Sequence, residues 1–339
     1  MEKQNYSKND YDALMKSNIP AALQDTNGMR FDSAEDASVF FARELDYIKT
    51  QSYDAEYPEF TALALFPISS EVNPGAETTT YYSYDKTGLA KIINNYSTDL
   101  PRADVKGKPT TANIKSIGSS YGYSVQEMRA SKMAGKSLDA RKAESARYQI
   151  DYLLNKIAWA GDKENGLVGI LSTDNDVPIF TPASTTGGKT EWADKTADEI
   201  LEDITAMQTQ VSRSTKNVER PDTLIVPDDV HILLCNKRIA NTGISVKKYL
   251  LENAPYLKNI VGASELGKEA TDINPYAAQG KNVALFCSIN PKKFTIEHPL
   301  PFYQYPLQAE NLEIKVPCEA RTAGAVIYYP FSLLIAVGI

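Results

Sequence analysis

The residues best placed to do chemistry are Ala183-Ser184-Thr185-Thr186-Gly187-Gly188-Lys189-Thr190, a phosphate-loop spacing with alanine at the first glycine position. A loop of this kind wraps phosphate oxygens in backbone N–H groups, adds the lysine ammonium and presents the last hydroxyl to magnesium. Residues 177–180 would form the preceding strand, and Asp228, after Leu224-Ile225-Val226, would imitate the metal-binding carboxylate. The helix that should begin at Gly-Lys-Thr starts late, however, because Thr196 and Glu199 form a capping box about six residues further on. Its dipole then cannot face a phosphate held at Lys189, and Pro182 and Pro227 interrupt the expected strand ends. A P-loop-like nucleotide-binding enzyme is one reading of this stretch and a Gly/Thr surface loop is the other.

Imidazole and thiol chemistry have few places to occur. His231 lies early in an expected helix beside Ile232 and Leu233, as a core or interface histidine does, and Cys235 follows at a spacing of four. Two such ligands without a second pair do not complete a metal site. His298 precedes Pro299 in a Pro-rich turn with no cysteine near it. Cys235, Cys287 and Cys318 are far apart in sequence and read as reduced, partly buried small side chains of a protein made in the cytosol. Among the 43 acidic residues, Glu44 and Asp46 point to different sides of one helix, and Asp198, Glu199 and Glu202 read as a solvated helix face. No Gly-x-Ser-x-Gly elbow is present. These patterns nominate no catalytic, cofactor-binding or metal-ligating residue, and the expectation is a protein that is not an enzyme.

Composition narrows the partners. With 42% hydrophobic and 23% charged residues, the 339-residue chain has the make-up of a soluble protein with a substantial core and room for two or three domains. A net charge of -7 is the wrong sign for a surface that neutralises phosphates, so any contact with nucleic acid should be local or weak. There is no apolar run of the roughly 20 residues needed for a membrane span, and Met1-Glu2-Lys3-Gln4-Asn5 lacks the apolar core of a secretion signal. The 20 tyrosines suit surfaces that are buried against a partner while their hydroxyls stay satisfied.

The elements that would position any site follow from periodicity. Residues 1–35 read as a polar extended arm with one short helix at 11–16, and residues 36–48 as an amphipathic helix. A β-rich section opens with the apolar run 61–68, turns at Asn73-Pro74-Gly75 and continues through Thr78-Thr79-Thr80-Tyr81-Tyr82-Ser83-Tyr84. This last run has strong β propensity and no aliphatic residue, so it is poorly equipped to bury a core face. It reads as a ribbon completed by another surface, or as an exposed edge strand. Residues 95–113 are loop-like, and 114–125 return as a strand. The most regular element is a helix over 137–161. Ala143, Ala146, Ile150, Leu153, Ile157 and Ala160 share one face, widened by Leu154 and Ala158, with Ser137 as cap and Gly161 as stop. Helices at 196–211, 228–239 and 245–252 and strands at 223–226, 258–262, 282–289, 312–316, 325–329 and 331–337 make a mixed remainder.

Four stretches in this order carry a resemblance: Ala42-Arg43-Glu44-Leu45-Asp46-Tyr47-Ile48, Asp99-Leu100-Pro101-Arg102-Ala103-Asp104-Val105, Tyr121-Gly122-Tyr123-Ser124-Val125-Gln126-Glu127, and the long helix through Trp159-Ala160-Gly161-Asp162 to Gly169-Ile170-Leu171. Together they resemble bacteriophage major capsid proteins of the Hong Kong 97-like fold. The resemblance implies an α+β subunit with an N-terminal arm (1–45) and an extended β-hairpin loop (76–113). It further implies a peripheral domain with the long spine helix (46–75, 114–169 and 305–339) and an axial domain (170–304). It implies an icosahedral shell, in the virion, built from hexamers and pentamers of the chain itself around a phage double-stranded DNA genome. Scaffold, portal or decoration proteins would be partners, contact with packaged DNA would be weak and non-specific, and assembly would take place in the bacterial host cytoplasm. An encapsulin-type nanocompartment shell is the structural variant of this reading, and a soluble Tyr-rich binding module is the reading from another class. No cofactor, metal or membrane enters any of them except the nucleotide reading.

Overall fold

The computed structural model describes residues 59–88, 90–91, 102–134, 138–185 and 187–339, all within the compact unit Pro58–Ile339. The expected arm, the helices expected at 11–16 and 36–48, the stretches 42–48 and 99–101, and the Ser137 cap lie outside the described residues.

The first described element is a short helix, α1 (Thr61–Leu65), where the apolar run predicts a strand; strand β1 is confined to Ile68–Ser69. The reason is tertiary. The carboxylate of Glu265 accepts from the Thr61 N–H (3.0 Å) and hydroxyl (2.7 Å), and Asn155 Oδ1 accepts from the Ala62 N–H (3.0 Å). The donors that a helix start leaves unpaired are thus satisfied by buried side chains from distant parts of the chain. Phe66, just beyond the helix, packs edge-on against both Trp159 and Phe294.

Strands β2 (Thr78–Thr87) and β3 (Asp104–Asn113) pair antiparallel without a break from Thr78↔Asn113 to Thr87↔Asp104. This corrects the expected loop over 104–113, while 95–101 lie outside the described residues. Lys106-Gly107-Lys108-Pro109 has turn-like composition, and it is the hydrogen-bond ladder to β2 that makes it a strand. Pro109 is tolerated because each strand of a two-stranded sheet keeps a free edge. After Ile114 the chain continues as β4 (Lys115–Ser124), then α2 (Val125–Ala134) and the long helix α3 (Leu138–Ala160). Gly161, at φ 75, stops α3 as expected. Ala146, Ile150, Leu154, Ile157 and Ala158 are buried, and Arg147 pairs with Asp151 four residues on at 3.5 Å. Leu153 departs from its expected place on that face. It is 39% exposed, because the stripe steps from Ile150 to Leu154 and Ile157 and leaves it on the shoulder.

Two short strands, β5 (Gly161–Asp162) and β6 (Leu167–Val168), reverse the chain, and β7 (Ile179–Phe180) follows. Helix α4 (Ala197–Ser214) carries the predicted capping box on Thr196 and Glu199. Then come β8 (Thr223–Val226), α5 (Asp228–Asn236), α6 (Val246–Asn253), β9 (Asn259–Gly262) and β10 (Val283–Cys287). The chain closes with β11 (Phe294–Glu297), β12 (Leu300–Gln304), β13 (Gln308–Glu310), β14 (Glu313–Thr322), β15 (Gly324–Ile327) and β16 (Leu333–Val337).

These strands make four sheets: β1-β11-β15-β6-β5, β7-β16-β10-β8-β9, β12-β14-β13 with β4 on β14, and the ribbon β2-β3. The face of α3 packs on the third sheet through Ile117, Tyr121, Val316, Cys318 and Ala320. The second sheet is buried on both faces. Leu224, Val226, Ala284 and Phe286 point toward α4, α5 and α6, while Ile225, Leu285 and Cys287 point into a central core shared with α1, Trp159 and the first sheet. That two-sided burial explains why its strands read as unbroken apolar runs. Residues 305–339 contribute to three sheets, β13 and β14 to the third, β15 to the first and β16 to the second. β16 lies between β7 and β10 in the second sheet, because Leu333-Leu334-Ile335-Ala336-Val337 is apolar on both faces and needs a slot covered on both sides. Conversely β11, from within 170–304, pairs with β1 and β15 in the first sheet.

Candidate functional site

The residues that suggested nucleotide chemistry form a closed turn. The Thr185 N–H donates to the Lys189 carbonyl (2.8 Å), the Gly188 N–H donates to the Thr185 carbonyl (2.8 Å), and Lys189 pairs with Asp194 at 3.0 Å. The N-terminus of α4 is occupied by its own capping box, in which Glu199 accepts the Thr196 N–H at 2.7 Å. His231 Nε2 lies 2.8 Å from Lys247 Nζ, and partial burial together with that ammonium pushes the imidazole pKa down. Cys235 is exposed while Cys287 and Cys318 are buried, and all three are free thiols. Among the described residues no group of three or more His, Cys, Asp or Glu side chains could hold a metal ion, and no helix is long and apolar enough to cross a membrane.

The feature that stands out from the body is the ribbon. Opposite residues of an antiparallel pair share a face. One face therefore carries Tyr82, Tyr84 and Lys86 with Pro109, Gly107 and Val105, and the other carries Tyr81, Ser83 and Thr87 with Thr110, Lys108 and Asp104. On the first face the rings of Tyr82 and Tyr84 stack with centroids 6.4 Å apart, at 62% and 70% exposure, and Val105 beside them is 56% exposed. Gly107 makes room for this, since a Cβ there would stand 3.0 Å from the Tyr84 ring. The second face holds the root. The Tyr81 hydroxyl donates to the Ile327 carbonyl (3.0 Å), and its ring meets Tyr328 edge-on with centroids 4.9 Å apart.

Beneath the root lies a polar group that sequence reading missed. Thr295 donates to Glu297 Oε1 (2.8 Å), Tyr328 reaches the same oxygen (3.3 Å), and the Oε2 of Glu297 and the Nε2 of His298 are buried without a hydrogen-bond partner. Nothing in the local sequence relates Tyr81 to Tyr328, and only the tertiary fold brings them together. Burial pushes the Tyr328 pKa up and the His298 pKa down from its usual 6.5. In the folded protein His298 therefore stays neutral at a pH where the unfolded chain has already taken up a proton, so stability is lost as the pH falls below about 6.5 and the loss levels off at the lower folded pKa. Thermal melts between pH 8 and pH 5 should show a shallower fall in Tm for His298→Gln than for the parent. Part of the slope should remain, because His231 is shifted in the same direction. Parallel curves would show that His298 does not titrate with unfolding.

Two strands of ten residues, at about 3.4 Å per residue, make a ribbon roughly 34 Å long, fixed at its root and with neither outer edge paired to another described strand. A hairpin standing alone in water is marginally stable at best, and this one presents aromatic rings on a face with no core behind it. The arrangement suits binding to a surface.

Comparison with known proteins points the same way. A family model described as major capsid protein matches residues 88–339. The capsid of Myoviridae phage XM1 is similar in structure with a TM-score of 0.73 at 15% identity, covering 89% of this chain and 100% of that one. The capsid of the native GTA particle, computed with C5 symmetry, gives a TM-score of 0.63 at 11% identity over 91% and 99% of the two chains. A structure from Mycobacterium phage Ogopogo gives 0.58 at 11% identity over 86% and 96%. No curated protein matches the sequence. Identities this low show the fold, whereas the family match rests on the sequence from the end of β2 to the last residue.

Proposed function

This chain belongs to the major capsid protein family, and from that premise we propose that it builds the icosahedral shell of a phage, as pentamers and hexamers of itself around double-stranded DNA. The observation that carries the proposal is the ribbon β2-β3, rooted on its own subunit by Tyr81 and exposed at Tyr82, Tyr84 and Val105. It takes the part of the extended loop that reaches over a neighbour. In the same reading residues 1–45 are the arm, α3 with the third sheet is the peripheral domain, and the second sheet with α4, α5 and α6 is the axial domain. The net charge of -7 favours a wall that encloses DNA without gripping it. Scaffold, portal and decoration proteins are the further partners expected, with assembly in the host cytoplasm.

Purified protein should form megadalton particles or capsomers by sizing and negative-stain microscopy. A subunit that stays monomeric under every assembly condition would overturn the reading. Exchanging both exposed rings, Tyr82→Ser with Tyr84→Ser, should leave the melting curve of the subunit nearly unchanged, since neither ring contributes to a core. The concentration needed for assembly should nevertheless rise by about tenfold or more, the equivalent of about 1.4 kcal/mol per subunit contact. Assembly at the parental concentration would remove the ribbon face from the interface.

A further inference from the structure

β3 and β4 form one continuous run through Ile114 and are paired on opposite edges. β2 takes one edge of β3 and ends with the Ile114 N–H donating to the Glu77 carbonyl (2.8 Å), and the chain before it turns off at Asn73-Pro74-Gly75. β14 takes the other edge, pairing with β4 without a break from Glu313↔Ser124 to Thr322↔Lys115. The orientation of the β4 backbone follows from Pro317, which lies opposite Ser120. Its carbonyl accepts from the Tyr305 N–H (2.9 Å) on the β12 side, so at this pair the backbone groups of both strands point away from each other. By the period of two, the N–H and C=O groups of Ser116, Gly118, Ser120, Gly122 and Ser124 all point to the edge that β14 does not occupy. Two contacts agree: the Gly122 carbonyl accepts from Lys142 Nζ (2.8 Å), and the Ser124 N–H donates to Glu127 (3.1 Å). The backbone groups of Gly118 and Ser120 have no such partner among the described residues.

Between Ser116 and Ser120 this edge lacks the usual protections against pairing, which are bulges, prolines and charged side chains. The register with β14 is unbroken, and Lys115 at the very start is the one charge in Lys-Ser-Ile-Gly-Ser-Ser-Tyr-Gly-Tyr-Ser. A Cβ on Gly118 would meet nothing closer than the Cys318 carbonyl at 4.0 Å, so the sheet face is open at this residue as well. The subunit's own β2 lies end to end with the outward lane and is held there by its pairing with β3, so it cannot also fill it. The same segment in another copy matches the lane in kind, since Thr78-Thr79-Thr80-Tyr81-Tyr82-Ser83-Tyr84 carries no charge, and its ten residues more than span residues 116–120.

We propose that the outward edge of β4, from Ser116 to Ser120, is completed in the assembly by an extended strand from a second copy of this chain, which continues the four-stranded sheet across the subunit boundary. The proposal rests on the shell reading and adds a main-chain contact to it. Its test uses a proline placed where only the outward edge needs the N–H. Ser120→Pro removes a donor that β14 does not use, whereas Ser119→Pro, opposite Cys318, removes one that it does. Ser120→Pro should give a folded subunit by circular dichroism with particle yield reduced about tenfold or more, and Ser119→Pro should fail to fold. Amide hydrogen exchange on the unmodified protein gives a second readout: Gly118 and Ser120 should exchange fast in isolated subunits and slowly in particles. Particles in which both amides still exchange fast overturn the edge pairing and leave the shell reading standing. Protection already present in isolated subunits also overturns it, because the edge is then not free to receive a second copy. A wild type that forms no particles at all overturns the shell reading first, and the edge pairing with it.

Discussion

Gly169→Ala is expected to destabilise the subunit by about 4 kcal/mol or more, enough to leave a marginal fold largely unfolded. Adding a Cβ at this position would place it 2.2 Å from the Gly161 nitrogen, 2.5 Å from the Ala160 carbonyl carbon and 2.6 Å from the Trp159 oxygen. All three are backbone atoms at the end of α3, and none can move aside as a side-chain tip can. The close approach exists because the chain after Gly169 runs back along the helix end, where the Ile170 N–H donates to the Ala158 carbonyl (3.0 Å) and the Leu171 N–H to the Trp159 carbonyl (2.7 Å). Those bonds satisfy carbonyls that a helix C-terminus would otherwise leave open. Making room for a methyl group means breaking them or shifting Trp159, which is fully buried and packed on Phe66. Gly280 is the matched control: a Cβ there meets nothing within 4 Å, so only its φ of 68 opposes substitution, at a cost of about 1 kcal/mol. Urea unfolding of the two variants beside the parent measures both. A Gly169→Ala loss no greater than that of Gly280→Ala would mean that the turn after α3 yields easily and that the helix end does not depend on it.

What could be read from the sequence was what local physics decides. α3 and its stop at Gly161, the capping box of α4 and the apolar strands of the second sheet all follow from period, cap and composition, without knowledge of their neighbours. The misses have the opposite character. α1 is a helix because Glu265 and Asn155 reach it from remote segments, and β3 is a strand because β2 pairs with it. The candidate surface divides in the same way. The lack of aliphatic residues across Thr78–Thr87 already marks a strand that needs another surface, while the root joining Tyr81 to Tyr328 and Glu297 has no sequence signal. The outward β4 edge lies between these cases. Its composition is plain in the sequence, but its exposure can be recognised only once Pro317 is known to lie opposite Ser120.

Asp203→Ala should cost about 3–5 kcal/mol, because it strands a charge that has no access to water. Lys195 and Asp203 are each only 3% exposed, with Lys195 Nζ 2.5 Å from Asp203 Oδ2. The same oxygen accepts from the indole N–H of Trp192 (2.9 Å), and Oδ1 takes the Ala183 N–H (3.4 Å). One carboxylate on α4 thus fastens the loop that precedes the helix, and Lys237 holds that loop from the other side through the carbonyls of Trp192 (3.1 Å) and Lys195. Truncation to alanine leaves an ammonium and an indole N–H buried and unpaired. Asp203→Asn keeps the shape and two polar atoms but not the charge, and should fall between the parent and Asp203→Ala. The informative variant is the double replacement Lys195→Met with Asp203→Leu. It removes both charges together, so it should recover most of the loss and leave chiefly the unpaired Trp192 N–H, worth about 1–3 kcal/mol. Denaturant unfolding of the set, analysed as a double-mutant cycle, separates the desolvated pair from simple packing. If Asp203→Ala alone costs less than about 1 kcal/mol, water must reach Lys195, and the loop is held by Trp192 in the core beneath α4 instead of by the ion pair.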